Sequence, residues 1–202
     1  MLRVGVTGGI GSGKSLVCEI IARMGFPVYN ADLEARNLTN TNSTIIAKVK
    51  ALLGNDIYTK EGLDRKRTAL MVFQDANLLN KLNAIIHPEV ANHFSSWCEL
   101  HAESPLVFLE AAILFESGMD KLMDRVVAIT APLHTRIRRV VERDGISPEE
   151  VERRMGHQLD EKELVAKSDI VIRNDGEELL LPRVVWAIEL SLIHISEPTR
   201  PY

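Results

Sequence analysis

The sequence predicts an α/β fold in which a buried parallel sheet is flanked by helices. Three observations predict it. Five short apolar stretches, Leu2–Thr7, Phe26–Asn30, Pro105–Leu109, Arg125–Thr130 and Ile170–Ile172, read as buried strands. The first two enclose a helical pattern, and strand, helix, strand within about thirty residues is a βαβ unit. A glycine cluster sits where the first strand would hand over to that helix.

Each element has a local cause. Leu2-Arg3-Val4-Gly5-Val6-Thr7 is apolar and rich in β-branched residues, and it runs directly into glycines, so a strand gives way to a tight loop. From Lys14 to Arg23, Leu16, Val17, Ile20 and Ile21 fall at helical spacing, and Gly25 stops that helix. The stretch from Asp32 to Ser104 reads as mostly helical: Ala31–Leu38, Ser43–Leu53, Arg65–Phe73, Ala76–Ile86 and Pro88–Leu100. Turn chemistry separates these helices at Gly54-Asn55-Asp56 and Glu61-Gly62, and Pro88 divides the last two. Such a helical stretch between strands forms an insertion above the sheet.

After the strand at Arg125–Thr130, the segment from His134 to Lys167 is helical and dense in charge. Its arginines, among them Arg136, Arg138, Arg139 and Arg143, read first as a solvated helix face with i,i+4 pairs. Ala187–Leu190 belongs to a closing helix. Ser191–Tyr202 has two prolines and no period; it looks like translated vector or adapter sequence and is set apart from the fold.

Composition bounds the function. Of 202 residues, 46% are apolar and 26% charged, the balance of a globular protein, and aromatics at 5% require an aliphatic core. The net charge of −4 argues against a dedicated nucleic-acid binder but leaves room for a local basic pocket. Cys18 and Cys98 cannot make a disulfide framework, so a reducing cytoplasm is the expected compartment. Glu110, Arg183 and Glu189 interrupt the best apolar runs before the ~18 residues of a membrane span are reached, and the N-terminus shows no signal-peptide pattern. No membrane or nucleic-acid partner is expected, and the chain should be a monomer or a weak homo-oligomer.

Gly8-Gly9-Ile10-Gly11-Ser12-Gly13-Lys14-Ser15 satisfies G-x-x-x-x-G-K-S/T in full, with a strand before it and a helix after it. Glycines let successive backbone N–H groups turn inward around an anion, and the helix that follows points its positive end at the same place. Lys14 can reach the β- and γ-phosphates of a nucleotide, and the Ser15 hydroxyl can ligate Mg²⁺. A dinucleotide fingerprint fails, because its third glycine would fall on Lys14.

A phosphate loop alone does not name an activity. GTPase switches carry an N-K-x-D segment, and the nearest string, Asn80-Lys81-Leu82-Asn83, lacks the acid. No apolar strand ends in a magnesium-coupled Asp; the strand at Leu106–Leu109 ends in Glu110. Asp32, just beyond the second strand, would stand at the C-terminal edge of the sheet, where ligands bind. It reads as a general base beside the γ-phosphate or as the N-cap of the following helix, and the two roles are compatible.

Taken together, these residues resemble the dephospho-coenzyme A kinase family. The resemblance runs collinearly from residue 1 to about 190. It is carried by Val6–Ser15, by Asn30-Ala31-Asp32 for the family's D-A-D, and by Leu82-Asn83-Ala84-Ile85-Ile86-His87-Pro88. It continues through Ile113-Leu114-Phe115-Glu116, Arg138-Arg139 with Arg143-Asp144, Gln158, and Asp169–Gly176. It implies a P-loop core with a parallel five-stranded sheet (residues 1–31, 105–133 and 168–190), a helical acceptor-binding insertion (32–104) and a helical lid (134–167). The implied reaction is ATP-dependent phosphorylation of the ribose 3′-hydroxyl of dephospho-CoA, with Mg²⁺, to give CoA and ADP. The alternative is another nucleotide or small-molecule kinase of the same core.

In that context Asp32, Lys14 and Arg139 are the expected catalytic residues. Gly8, Gly9, Gly11, Ser12, Gly13, Lys14, Ser15, Leu16, Arg143 and Asn174 would bind the nucleotide. Asp32, Arg67 and His87 would meet the acceptor, and Ser15 the Mg²⁺. Three positions depart from the family pattern. Leu16 replaces a common Thr, leaving only its backbone N–H for the α-phosphate. Asn30 replaces the first acid of D-A-D, and Ala112 replaces a proline.

Overall fold

A computed structural model describes residues 1–196 other than Gln74 and His157, with 193–196 described as backbone only. The chain divides into two compact units: residues 1–30 with those from 101 on, and residues 31–100.

The first unit is built on a parallel sheet. Its strands are β1 (Leu2–Thr7), β2 (Val28–Asn30), β5 (Leu106–Glu110), β6 (Arg125–Thr130) and β7 (Ile170–Arg173), in the spatial order β2-β5-β1-β6-β7. All five residues of β5 are buried, as a central parallel strand covered on both faces requires. Alternate residues of four strands, Val4 and Val6, Leu106 and Phe108, Val127 and Ile129, Ile170 and Ile172, form one apolar cluster. Val17, Cys18 and Ile21 of α1 (Lys14–Arg23) and Val184, Ala187 and Ile188 of α9 (Leu180–Ser196) join the same cluster. Phe26 meets the Phe108 ring edge-on at 5.8 Å between centroids. The sheet register sets Glu110 opposite both Val6 of β1 and Asn30 of β2. The last residues of β2 and β5 thus share one end of the sheet.

Beyond β6, the first unit continues with α6 (Leu133–Asp144), α7 (Pro148–Met155) and α8 (Glu161–Ala166). Ser147 caps α7 by accepting the Glu150 amide, with Pro148 in the first turn. The closing helix does not stop at Leu190. It runs to Ser196, because buried Ser191 bonds its hydroxyl to the Ala187 carbonyl at 2.8 Å and Leu192 packs on the core cluster. Residues 197–202, the remainder of the segment read as foreign, lie outside the described residues.

The second unit contains α2 (Ala31–Thr41), α3 (Ser43–Leu53), α4 (Arg65–Phe73) and α5 (Ala76–Leu100) around Ile45, Val49, Leu53, Ile57 and Leu82. Asn42 caps α3, accepting from the Thr44 and Ile45 amides at 2.9 and 3.1 Å. Between α3 and α4 a two-residue antiparallel ladder pairs β3 (Tyr58–Thr59) with β4 (Gly62–Leu63), which no sequence period announced. Pro88 lies inside α5 and does not divide it. A proline there forfeits a helical hydrogen bond at a cost of ~3 kcal/mol. Leu82 on one side and Val90, Phe94 and Cys98 on the other bury a single stripe, and that packing carries the helix through.

Candidate active site

The glycine loop joins β1 to α1. Gly13 caps α1 with φ of +90°, a left-handed conformation that a side chain would strain, and a Cβ there would meet Asn174 Nδ2. A Cβ at Gly9 would run into the Arg136 guanidinium. The loop therefore needs glycine both for its turn and for the side chains laid against it. Thr7 and Ser12 are buried at the loop with hydroxyls that have no hydrogen-bond partner, the only such side chains among the described residues. Each costs ~1–3 kcal/mol relative to a bonded hydroxyl.

On one side of the loop, three donors converge on Glu110, which is only 5% exposed. Lys14 Nζ and Ser15 Oγ each lie 2.7 Å from its Oε1, and Asn30 Nδ2 donates to Oε2 at 2.9 Å. Cys18 lies one turn along α1. Burial, with a smaller contribution from the Glu110 charge, pushes its thiol far above the ordinary range and keeps it protonated and inert.

On the other side, α6, the α7–α8 connection and the turn after β7 hold the loop's backbone groups. Arg136 Nε donates to the Ile10 carbonyl at 3.0 Å while its Nη1 pairs with Glu161 at 3.2 Å. Arg139 Nη1 reaches the Gly11 and Ser12 carbonyls at 3.5 and 3.4 Å, contacts at the long edge of hydrogen bonding. Asn174 Nδ2 donates to the Ser12 carbonyl at 2.8 Å, and Gln158 Oε1 accepts the Ile10 amide at 2.8 Å.

The sequence-predicted residues of the first unit therefore assemble with one exception. Gly8 through Leu16, Lys14, Ser15, Arg139 and Asn174 surround one loop. Arg143 lies at the end of α6 and is engaged by its neighbour, with Nε 2.7 Å and Nη2 3.0 Å from the Asp144 carboxylate. That guanidinium holds Asp144 below the usual carboxylate range. In the second unit, α2 begins at Ala31, so exposed Asp32 occupies its first turn and is not its N-cap. Arg67 pairs with Asp56 at 2.7 Å, which depresses the Asp56 carboxyl. His87 is half-buried, and desolvation lowers its pKa.

Glu110, Arg136 and Gln158 were not among the expected site residues. Glu110 was visible as the acid ending an apolar strand; Gln158 was visible only through the family motif, and Arg136 sat unmarked in a run of arginines. Ser15 Oγ and the Glu110 carboxylate are hard oxygen donors in contact with one another. They suit Mg²⁺, which takes one or two protein oxygens and completes its shell with phosphate and water. Among the described residues no cluster of three His, Cys, Asp or Glu offers a cage built of protein alone, and no helix is long and apolar enough to cross a membrane.

Known proteins resemble this chain in sequence and in fold. The family model for dephospho-CoA kinase matches residues 2–179. A dephospho-CoA kinase of Porphyromonas gingivalis is 40% identical over 202 residues, spanning 100% of this chain and 98% of its own length. That of Chlorobium luteolum is 41% identical over 179 residues, 85% of this chain and 82% of its own. A crystal structure of a Thermus thermophilus protein superimposes with TM-score 0.80 at 34% identity, covering 97% of this chain and 98% of that one. The dephospho-CoA kinase of Campylobacter jejuni gives TM-score 0.68 at 27% identity, covering 96% and 98%. A shikimate kinase of Acinetobacter baumannii, 14% identical with TM-score 0.54 and coverage of 98% and 96%, shares the fold.

Proposed function

The chain belongs to the dephospho-CoA kinase family, and from that premise we propose how its residues carry the family's reaction. The γ-phosphoryl group of ATP passes to the ribose 3′-hydroxyl of dephospho-CoA, giving CoA and ADP. The observation that carries this reading is the convergence of Lys14, Ser15 and Asn30 on buried Glu110, where β2 and β5 end beside the glycine loop.

Loop amides and the Lys14 ammonium receive the β- and γ-phosphates, with the Leu16 amide and Asn174 nearby for the rest of the nucleotide. Lys14 then exchanges part of its bond to Glu110 for the phosphate oxygens. Ser15 and Glu110 would hold Mg²⁺, which when bound neutralises charge on the phosphate oxygens. The acceptor oxygen forms a bond to the γ-phosphorus as the bond to the β–γ bridging oxygen breaks, and the proton of the acceptor hydroxyl passes to the Asp32 carboxylate. Asp32 follows Asn30 by two residues in the chain and lies exposed in the first turn of α2.

Arg139 supplies positive charge to the transferring group. Its long contacts with two loop carbonyls leave little to break when it turns toward phosphate. Arg143 enters from the same helix once its pair with Asp144 opens. Residues 134–167 act as the lid that excludes water. The second unit binds the acceptor, with Arg67 toward its phosphates and His87 close by. The reaction is placed in the cytoplasm, where thiols such as those of Cys18 and Cys98 persist. One chain supplies every residue named.

Incubation with Mg-ATP and a panel of acceptors tests the reading. ADP release stimulated by dephospho-CoA alone is expected. Stimulation by a nucleoside monophosphate or a sugar in its place would assign the site to a different small-molecule kinase.

A further inference from the structure

One side chain grips the phosphate loop from outside. Gln158 lies in the connection between α7 and α8, and its carboxamide bonds in two directions. Oε1 accepts the Ile10 amide at 2.8 Å, and Nε2 donates to the Ala112 carbonyl at 2.9 Å. The carbonyl of Ile10 is held as well, by Arg136 Nε at 3.0 Å. Both polar groups of the residue at the loop apex are therefore taken by the segment that follows β6. The next residue, Leu159, donates its amide to Glu116 at 2.8 Å. Loop apex, α7–α8 connection and the turn after β5 are tied together through a single amide group.

We infer that Gln158 is a positioning residue for ATP: by bridging the Ile10 amide and the Ala112 carbonyl, it holds the phosphate loop in the shape that receives the triphosphate. This rests on the kinase reading only in taking the loop's ligand to be a nucleotide. A loop with glycine at positions 8, 9, 11 and 13 has much conformational freedom to lose on binding. Ordering it beforehand leaves more of the contact energy as affinity. The chemistry calls for one acceptor and one donor on a short planar group without charge beside the phosphates. A glutamine meets all three conditions. Glutamate keeps the acceptor for Ile10 but sets an anion against the Ala112 carbonyl, and methionine keeps the length while losing both bonds.

The test uses the full chain with Q158M and Q158E, ATP titrated without acceptor, and hydrogen exchange followed at residues 9–11. In Q158M the Ile10 amide should exchange faster, and the Kd for ATP should rise about five- to thirty-fold, the loss expected for one or two hydrogen bonds. Q158E should also bind ATP more weakly. In turnover assays the KM for ATP should rise while kcat stays within about threefold, a split that general loosening of the fold would not produce. ATP affinity at the wild-type level in either variant, or unchanged exchange at Ile10 in Q158M, would overturn the inference. If Q158M does not fold, Q158E decides the matter. Because no acceptor is present in the titration, a chain that binds ATP but leaves dephospho-CoA untouched would defeat the functional reading without touching this one.

Discussion

Lys14 Nζ lies 2.7 Å from Glu110 Oε1, with the two side chains only 12% and 6% exposed. A pair so shielded is weak evidence of net stabilisation, because desolvating both charges offsets their attraction. Removing one partner is another matter.

Glu110→Ala should lower the unfolding free energy by about 3–5 kcal/mol, since the Lys14 ammonium is left buried without its counter-charge. ATP should restore part of the loss, because its phosphates offer Lys14 a new partner and bind only the folded chain. Urea unfolding with and without nucleotide measures both effects. Wild-type stability in E110A would mean that Lys14 escapes to solvent.

Asp32→Asn should reduce kcat by about 10²–10⁴, the contribution expected of a positioned general base, with ATP affinity unchanged. The measurements are steady-state turnover with saturating acceptor and an ATP titration. Near-normal turnover would leave Asp32 as a helix-terminal charge with no part in proton transfer.

His87 gives the stability a pH dependence. Burial lowers its pKa from the ordinary 6.5. Below that value the unfolded chain takes up a proton that the folded chain refuses, so stability falls as pH drops from 6.5 toward the depressed folded pKa. Above 6.5 this group contributes no slope. His87→Gln should flatten the profile in that window, as followed by the denaturation midpoint from pH 7.5 to pH 5. An unaltered slope would assign it to other groups.

Ending the chain after Leu190 should cost about 1–3 kcal/mol. It removes the Ser191 hydrogen bond and the Leu192 side chain from the core, although the helix up to that point is kept. Ending it after Ser196 should cost little of this. Thermal unfolding of the two shortened proteins distinguishes them, and equal midpoints would show that the last helical turn adds nothing.

The strands and most helices were legible because their signals are local. α1, α3, α4, β1 and β6 have the expected limits, each set by a short apolar period and a nearby glycine, cap or turn. The β3–β4 ladder escaped notice because two residues per strand are too few for alternation to show. Pro88 misled because the loss of one backbone bond is local, whereas the stripe that outweighs it joins four residues along a long helix. Seventeen residues of α9 follow the same lesson: prolines in the last residues drew the boundary too early, and the burial of Ser191 with the packing of partly buried Leu192 on the core moves it.

Around the glycine loop, the motif announced Lys14 and Ser15, whose positions are fixed by their neighbours in sequence. Glu110 ends an apolar strand as a glutamate where a switch carries an aspartate, and its neighbours in sequence give it no further role. Only the parallel register shows that it faces Asn30 and Val6. Arg136 sits among similar arginines, and nothing in a charge run tells which of them turns inward to a carbonyl 126 positions away.

Cys18 is buried in the first unit and Cys98 in the second. Each half of the chain thus carries one sulfur that a water-soluble reagent such as a chromogenic disulfide can attack only when that half breathes open. The two labelling rates are separate clocks, already installed by nature, and added ATP should slow the first far more than the second.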